Sequence, residues 1–247
     1  MSLIEALNDI SDVIFPPRCL GCAEILHPQS GQLFCPVCKE KIKFITDNIC
    51  PVCGTTFLDS PAKSHLCGNC LENKTYFSCA RAVVSYETII LNAIHQFKYG
   101  NNISVGALLA SFMADFSFPD VDFTDYSLII PVPLHIKRLR QRGFNQSLIL
   151  AHALAKKWQI PVNFSLLKRC KFTLTQTGLD KKERKRNIKG AFEVTDRAKI
   201  ADRNIILVDD VYTTGATINE CAKILIKAGA QKVAVLTLAR VLQNSII

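Results

Sequence analysis

The sequence lacks the features that mark a membrane-embedded or secreted protein. No uncharged apolar stretch approaches the roughly 18–20 residues that a membrane-spanning helix needs. The charged residues near the N-terminus, Glu5, Asp9 and Asp12, are all acidic, whereas a secretory signal needs a basic start and an unbroken apolar run. Apolar residues at helical spacing instead predict a short amphipathic helix over residues 1–14, and we expect a cytoplasmic protein without a membrane span.

Neither a catalytic nucleophile nor wholesale disorder is indicated. No Ser–His–Asp or Cys–His arrangement is evident, which argues against the common patterns of covalent nucleophilic catalysis. Hydrophobic residues make up 49% of the chain, a content too high for a disordered protein. The 247 residues are enough for one moderate domain and a smaller one.

The chain carries an excess of positive charge. Thirty Lys and Arg residues against 21 Asp and Glu give a formal net charge of +9, which fits a basic surface, a phosphorylated metabolite or a nucleic acid partner. The excess is concentrated in two clusters, which consist of Lys137, Arg138, Arg140 and Arg142, and of Lys181, Lys182, Arg184, Lys185, Arg186 and Lys189. Two local clusters fit phosphate sites better than a uniform coat does.

Eleven cysteines would suggest disulfides in a small secreted protein, but nothing in the sequence indicates secretion. Eight of them form four C-x-x-C pairs, and the two-residue gap lets both thiolates of a tight turn face one metal ion. We predict two zinc sites with four cysteines each, Cys19, Cys22, Cys35 and Cys38 in one and Cys50, Cys53, Cys67 and Cys70 in the other. A crossed pairing, redox-active pairs and plain buried thiols are the alternatives.

Four protein ligands per zinc leave no open coordination position, so the predicted sites are structural. Such a module can stabilise a segment too short for its own core, grip a nucleic acid or dock a protein, and all three roles stay open at this point. Aromatic residues are not interleaved with basic ones in the module, so a platform for stacking nucleotides is not predicted.

From Arg81 onwards, short apolar runs alternate with helical patterns. Strands are predicted over residues 81–86, 126–131, 204–208 and 232–238, and helices over residues 88–99, 105–116, 146–158 and 215–227. Strands that alternate with helices of this length imply an α/β fold with a parallel sheet covered on both faces. Ligands of such sheets bind at the carboxyl ends of the strands.

One segment combines a buried strand, an acidic pair and a loop of small residues. Ile205–Val208 is followed by Asp209 and Asp210 and then by the loop Thr213, Thr214, Gly215, Ala216 and Thr217. Two adjacent carboxylates can accept hydrogen bonds from the vicinal hydroxyls of a ribose. The loop offers amides and hydroxyls at the start of a helix, whose positive dipole end favours a phosphate. The segment therefore predicts a sugar-phosphate site, and a solvated turn with a helix cap is the alternative.

This segment, Asp209 to Thr217, resembles the signature with which type I phosphoribosyltransferases bind 5-phosphoribosyl 1-pyrophosphate (PRPP). Other segments narrow the resemblance to the ComF family of competence-associated proteins, namely Pro131–Leu134, Arg140–Gln146, Arg184 with Asn187, Gly190–Phe192 and Leu238–Arg240. The cysteine-rich module also matches, since family members carry a double zinc ribbon there. The resemblance covers essentially the whole chain. It implies a phosphoribosyltransferase domain with a Rossmann-like parallel sheet over residues 79–247, behind an N-terminal helix and double zinc ribbon over residues 1–78.

The resemblance also implies the roles of site residues. Asp209 and Asp210 are expected to bind the ribose hydroxyls, and the loop 213–217 is expected to wrap the 5-phosphate. The turn formed by Pro131, Val132 and Pro133 is expected to meet the pyrophosphate, with positive charge from Lys137, Arg140 and Arg142. A rigid strand exit is the alternative for this turn.

The basic segment over residues 175–187 resembles a flexible loop that closes over such sites. Lys181, Arg184 and Lys185 could then stabilise the leaving pyrophosphate, whereas the alternative is an exposed, charged helix face.

The implied reaction is displacement of pyrophosphate from the anomeric carbon by a nitrogenous acceptor, with Mg²⁺ and cationic groups around the departing group. The family association implies single-stranded DNA and a ComFA-type helicase as partners in DNA uptake. The second hypothesis is a protein that binds PRPP without turning it over and serves natural transformation as a scaffold or sensor.

Overall fold

The computed structural model describes residues 16–27, 32–57, 65–100, 103–172 and 186–242 of the chain. The predicted helix over residues 1–14 lies outside these ranges, and so do Lys181 and Arg184. In the described part of the chain, no helix is both long enough and apolar enough to span a membrane.

A parallel sheet forms the centre of the described structure. The strands are β1 (Cys79–Ser85), β2 (Leu128–Pro131), β3 (Leu167–Arg169), β4 (Phe192–Val194), β5 (Asn204–Tyr212) and β6 (Lys232–Arg240). Four of them pair in parallel in the order β1–β6–β5–β2, while β3 and β4 form a separate antiparallel pair. The predicted α/β fold with a parallel sheet is therefore confirmed.

The helices, in chain order, are α1 (Pro36–Glu40), α2 (Gly68–Glu72), α3 (Thr88–Tyr99), α4 (Ile103–Asp115), α5 (Ile136–Arg142), α6 (Gln146–Trp158) and α7 (Ala216–Lys227). The bounds of α3 and α6 are those predicted from the sequence. Helix α6 begins where it does because the side chain of Asn145 accepts a hydrogen bond from the backbone N–H of Ser147 at 3.1 Å, which caps the helix.

Apolar side chains cover the sheet on both faces. On one face, α3, α4 and α6 bury large residues against it, such as Phe97, Leu109 and Leu154. On the other face, α7 packs together with the β3–β4 pair, and Leu225 is among the residues buried there. Strand β5 lies between the two layers, and this explains why Ile205–Val208 read as one continuous apolar run.

Three differences between the structure and the sequence prediction affect the elements that carry cavity residues. Strand β5 continues to Tyr212, so the acidic pair lies within the strand rather than after it, because pairing with β6 extends to Arg240. The basic cluster around Arg140 forms the helix α5, where no element was predicted. The strands β3 and β4, of three residues each, were also missed, since so short a run carries little periodicity.

Candidate functional site

A cavity of about 590 Å³ opens at the carboxyl ends of β2 and β5. This is the edge of a parallel sheet at which ligands bind. Its lining includes Asp209 and Asp210, the loop residues Thr213, Gly215, Ala216 and Thr217, and residues 132–134 after β2. The sheet thus brings the acidic pair, most of the small-residue loop and residues of the proline turn around one space.

Each acid of the pair has a definite partner. The carboxylate of Asp209 accepts a hydrogen bond from the hydroxyl of Ser147 at 2.9 Å and another from the backbone N–H of Asp210 at 2.9 Å. The carboxylate of Asp210 forms an ion pair with the ammonium of Lys98 at 2.5 Å. Lys98 is in the last turn of α3, so this helix supplies a cation directly to the floor of the cavity.

The burial of these groups changes their proton affinity. Desolvation, followed by the charge of Asp210, raises the pKa of Asp209 to about 7, and the hydrogen bond from Ser147 opposes the rise. Burial alone would lower the pKa of Lys98, but Asp210 raises it above its ordinary value. Asp209 therefore exchanges its proton near neutral pH, while Lys98 stays charged.

The small-residue loop turns sharply into α7. Gly215 is the N-cap of that helix and has φ 75°, a left-handed conformation that favours glycine. A Cβ at this position would overlap the hydroxyl oxygen of Tyr212, so the residue type is fixed by space as well as by backbone angle. The loop therefore brings backbone N–H groups of the first helical turn to the cavity, where an anion can be bound.

Positive charge enters the cavity from α5 and β3. Arg138 and Arg142, four residues apart on α5, line the cavity together with Arg169 of β3. Burial, followed by the charge of Arg142, lowers the pKa of Arg138, and burial with the charge of Arg138 does the same for Arg169. In each case the neighbouring cation lowers the pKa because the like charges repel one another. A bound anion would relieve that repulsion, so the arginines form a site suited to an anion.

Four of the predicted residues, Pro131, Lys137, Arg140 and Thr214, are absent from the cavity lining. Arg140 is exposed and does not line the cavity, because it lies two residues from Arg138 and thus on the opposite side of α5. Pro131 is the last residue of β2 and is buried, while Val132 and Pro133 line the cavity. Lys137 instead approaches the ring of Phe172, with 5.1 Å between the ammonium and the ring centroid.

Several residues of the cavity were not predicted from the sequence. Gln146 accepts a hydrogen bond from Arg142 at 2.8 Å, which orients its amide, and within the described part of the chain its buried amide nitrogen has no partner. A ligand oxygen would satisfy that donor. Lys98, Ser147 and Arg169 were missed as well, because each reaches the cavity from an element with no local motif.

The two sets of cysteines come together as the spacing predicted. In each set, Cys19/Cys22/Cys35/Cys38 and Cys50/Cys53/Cys67/Cys70, the sulfur atoms lie within 4.8 Å of one another. The sulfurs of Cys22 and Cys35 are 3.7 Å apart and those of Cys53 and Cys67 are 3.5 Å apart. A tetrahedral zinc site with Zn–S bonds of about 2.3 Å has sulfur–sulfur distances of about 3.8 Å, so both sets fit zinc.

Backbone N–H groups favour the thiolate form at one cysteine of each cluster, Cys19 in the first and Cys50 in the second. The N–H groups of Gly21 and Cys35 donate to the sulfur of Cys19 at 3.4 and 3.3 Å, and the N–H of Cys67 donates to the sulfur of Cys50 at 3.5 Å. Although burial raises the pKa of a thiol, these bonds lower the pKa of Cys19 to about 6 and that of Cys50 to about 7. Burial raises the pKa of Cys38, Cys53 and Cys70 instead, so these thiols would lose their protons on binding zinc, which takes the thiolate form.

The two clusters lie on opposite faces of the sheet. Residues of the first cluster belong to the apolar core that contains α3 and α4, and the side chains of Asn92 and Gln96 on α3 donate to the backbone oxygens of Gly21 and Leu20 at 3.0 and 3.2 Å. Residues of the second cluster belong to the core that contains α7. The first cluster therefore packs against α3, which carries Lys98, and the second cluster packs in the same core as α7, which begins at the small-residue loop.

Comparison with known proteins matches both parts of the chain. A family model of the double zinc ribbon domain matches residues 10–71, and a model of the phosphoribosyl transferase domain matches residues 145–245. Competence protein F of Haemophilus influenzae is 33% identical over 228 residues, which cover 90% of this chain and 96% of that protein. DNA utilization protein YhgH of Escherichia coli K12 is 33% identical over 214 residues, which cover 84% of this chain and 90% of that protein.

Among solved structures, the chain resembles glutamine PRPP amidotransferase from B. subtilis complexed with ADP and GMP. The TM-score is 0.36 at 19% sequence identity, and the match covers 53% of this chain and 25% of that chain. The ranges matched by the two family models contain both cysteine clusters and the acidic pair with its loop.

Proposed function

Because the chain belongs to the ComF family, in which a double zinc ribbon precedes a phosphoribosyltransferase domain, we propose that it binds PRPP and transfers its phosphoribosyl group to a nitrogenous acceptor. The observation that carries the proposal is the cavity at the carboxyl ends of β2 and β5, because it combines an acidic pair with a helix N-terminus and an arginine cluster. These are the groups that a ribose, a phosphate and a pyrophosphate require.

Each part of PRPP has a partner in this proposal. Asp209 and Asp210 accept hydrogen bonds from the ribose hydroxyls, and the backbone N–H groups at the start of α7 bind the 5-phosphate. Arg138, Arg142 and the segment 132–134 bind the pyrophosphate, with further charge from Lys181 and Arg184. Mg²⁺ bound with PRPP supplies additional positive charge to the pyrophosphate, and the two carboxylates offer the oxygen ligands that this ion prefers.

The transfer breaks one bond and forms another at the same carbon. The bond between the anomeric carbon and the pyrophosphate oxygen breaks, and the pyrophosphate leaves with the electron pair. The nitrogen of the acceptor donates its lone pair to that carbon and loses a proton to water. Positive charge around the departing group stabilises the transition state, so no covalent nucleophile of the protein is required.

PRPP affinity is expected to rise with pH through neutrality. The pKa of Asp209 is raised to about 7, so this carboxyl is mostly protonated at pH 6 and mostly ionised at pH 8, and only the ionised form accepts hydrogen bonds at both oxygens. Calorimetric titration should find about a tenfold gain in affinity over that interval, beyond the contribution of the phosphates themselves. Asp209→Asn is the control, because it retains the phosphate contribution alone, and equal pH slopes in the two proteins would contradict the assignment.

Gly215→Ala is expected to weaken PRPP binding by at least about tenfold, because the added methyl group overlaps the hydroxyl of Tyr212 and displaces the loop. Gly229→Ala is the matched control at the other end of α7, since Gly229 also has positive φ, 106°, but its nearest neighbour would be Ala201 at an ordinary 3.4 Å. Both variants should lose on the order of 1–2 kcal/mol of unfolding free energy to the backbone conformation. PRPP affinity should fall only in Gly215→Ala, and an equal fall in both would show that the loop geometry is not the cause.

The cellular context proposed for the transfer is DNA uptake in the cytoplasm. Relatives named for competence and for DNA utilization support it. In this proposal, single-stranded DNA and a ComFA-type helicase are partners. The N-terminal helix and double zinc ribbon over residues 1–78 form one unit, which precedes the phosphoribosyltransferase domain over residues 79–247. The start of β1 at Cys79 supports this boundary.

Pyrophosphate release separates the enzyme from a PRPP-binding scaffold. The purified protein is incubated with PRPP and Mg²⁺ together with nucleobases and other amines, and pyrophosphate is measured against the Asp209→Asn/Asp210→Asn variant. Release that depends on one acceptor supports the transferase. Calorimetric binding of PRPP without release for any acceptor would overturn the transferase and support the scaffold instead.

A further inference from the structure

We propose that zinc in the second cysteine cluster, Cys50/Cys53/Cys67/Cys70, positions the small-residue loop 213–217, here called the phosphate loop, through Arg240 and Tyr212. Zinc and a phosphorylated ligand would then stabilise each other's binding, although they occupy different sites. The inference rests on the proposed function, because PRPP is the phosphorylated ligand used to test it. Arg240 and Tyr212 are positioning residues here, since neither lies in the lining of the cavity.

The first link joins the cluster to the sheet. Arg240, the last residue of β6, is buried, and its guanidinium donates to the backbone oxygen of Cys53 and to the sulfur of Cys53, the latter at 3.6 Å. Zinc fixes this sulfur within a tetrahedron, whereas a free thiol can rotate about its side-chain bond. The position of the guanidinium therefore depends on whether the cluster holds its metal.

The second link joins the sheet to the loop. The guanidinium of Arg240 lies 4.1 Å from the centroid of the Tyr212 ring, a cation–π contact between neighbouring strands. The hydroxyl of Tyr212 occupies the space in which a side chain of Gly215 would lie. Gly215 therefore lies against the side chain of Tyr212, whose ring contacts Arg240. Gly215 is also the residue at which the loop 213–217 passes into α7.

A second connection runs to the same helix from the segment after the cluster. The side chain of Asn219, in the first turn of α7, accepts a hydrogen bond from the backbone N–H of Tyr76 at 2.8 Å and donates to the backbone oxygen of Lys74 at 3.1 Å. These residues follow α2, which carries Cys70. The cluster is therefore connected to the loop through Arg240 and Tyr212, and to the first turn of α7 through the segment that follows α2.

The test compares zinc release with PRPP binding in the full-length protein. Zinc release to a chromogenic chelator is followed with and without PRPP and Mg²⁺, and PRPP affinity is measured by calorimetry in the same preparations. In the unsubstituted protein, PRPP should slow the release of one of the two zinc ions about tenfold. Coupling between two sites is reciprocal in binding free energy, so loss of that zinc should also weaken PRPP binding.

Arg240→Met should abolish the protection by PRPP and weaken PRPP binding about tenfold. Arg81→Met is the matched control, because Arg81 is also a buried arginine that donates to this ribbon, to the backbone oxygen of Pro51 at 3.0 Å, but it lies against Asp120 rather than Tyr212. Arg81→Met should therefore lose stability and retain the protection. Arg240→Lys, which keeps the charge, should retain part of the protection and serves if Arg240→Met fails to fold.

The outcomes distinguish this inference from the proposed function. If the unsubstituted protein binds PRPP and releases both zinc ions at unchanged rates, the coupling is wrong and the proposed function stands. Equal loss of protection in Arg240→Met and Arg81→Met would overturn the role of Arg240, because it would reduce the effect to general destabilisation. If PRPP does not bind the unsubstituted protein, the proposed function fails and this inference fails with it.

Discussion

Replacing both acids of the cavity, as Asp209→Asn with Asp210→Asn, should reduce PRPP affinity by about 10²–10⁴-fold. Hydrogen bonds to charged groups contribute about 1.5–3 kcal/mol each, and the double substitution removes the charge from two acceptors that face the ribose in our proposal. Calorimetric titration of PRPP with Mg²⁺ measures the loss directly. Asparagine is nearly the same size as aspartate, so circular dichroism and zinc content should not change.

The matched control for this variant is Asp122→Asn with Asp125→Asn. Both of these acids are exposed and lie outside the lining of the cavity, and the substitution changes net charge by the same amount. The control separates a binding site from a general effect of charge on a polyanionic ligand. Equal PRPP affinities in the two double variants, or an unchanged PRPP affinity in the cavity variant, would contradict a role of the acidic pair in PRPP binding.

Cys50→Ser should remove one zinc ion per chain and unfold the second ribbon. Cys50 is fully buried, and its sulfur is one of four that converge at the second cluster. A structural zinc contributes about 10–16 kcal/mol of apparent folding free energy in zinc-finger peptides, as much as the total stability of a typical domain. Metal content measured by mass spectrometry should fall from two zinc ions to one, and the thermal unfolding midpoint should fall with it.

Cys170→Ser is the control for the cysteine substitution. Cys170 is exposed and belongs to neither cluster, so this variant should keep two zinc ions and an unchanged unfolding midpoint. Retention of two zinc ions by Cys50→Ser would contradict the assignment of the second cluster.

The sequence was most informative where the chemistry depends on neighbouring residues. A C-x-x-C pair forms its metal knuckle within four residues, and the acidic pair with its loop is one continuous segment that begins within the buried strand β5. Both were therefore predictable, and so were α3 and α6, whose apolar residues recur at helical spacing over twelve and thirteen residues. The parallel sheet followed from the alternation of elements.

The sequence was least informative where distant residues meet. Lys98 and Asp210 form an ion pair across more than a hundred residues, and Ser147 reaches Asp209 from a different helix. No local pattern marks such contacts, because they depend on how elements pack. The choice between Arg138 and Arg140 required the helical register of α5, which a short, strongly charged segment does not reveal.

The order of the strands has a consequence for the newly made chain. Strand β6 lies between β1 and β5 in the sheet. Strand β1 therefore cannot pair until β6 has been synthesised, since Cys79 of β1 lies opposite Ala234 of β6. Until the ribosome has delivered β6, β1 presents an apolar, unpaired edge of the kind that promotes aggregation. The ribbons, which need only nearby cysteines and metal, can fold first, but their backbone bonds with β1, from Ala80 to Val52 and from Ser85 to Lys43, cover its outer edge and leave the edge that pairs with β6 open.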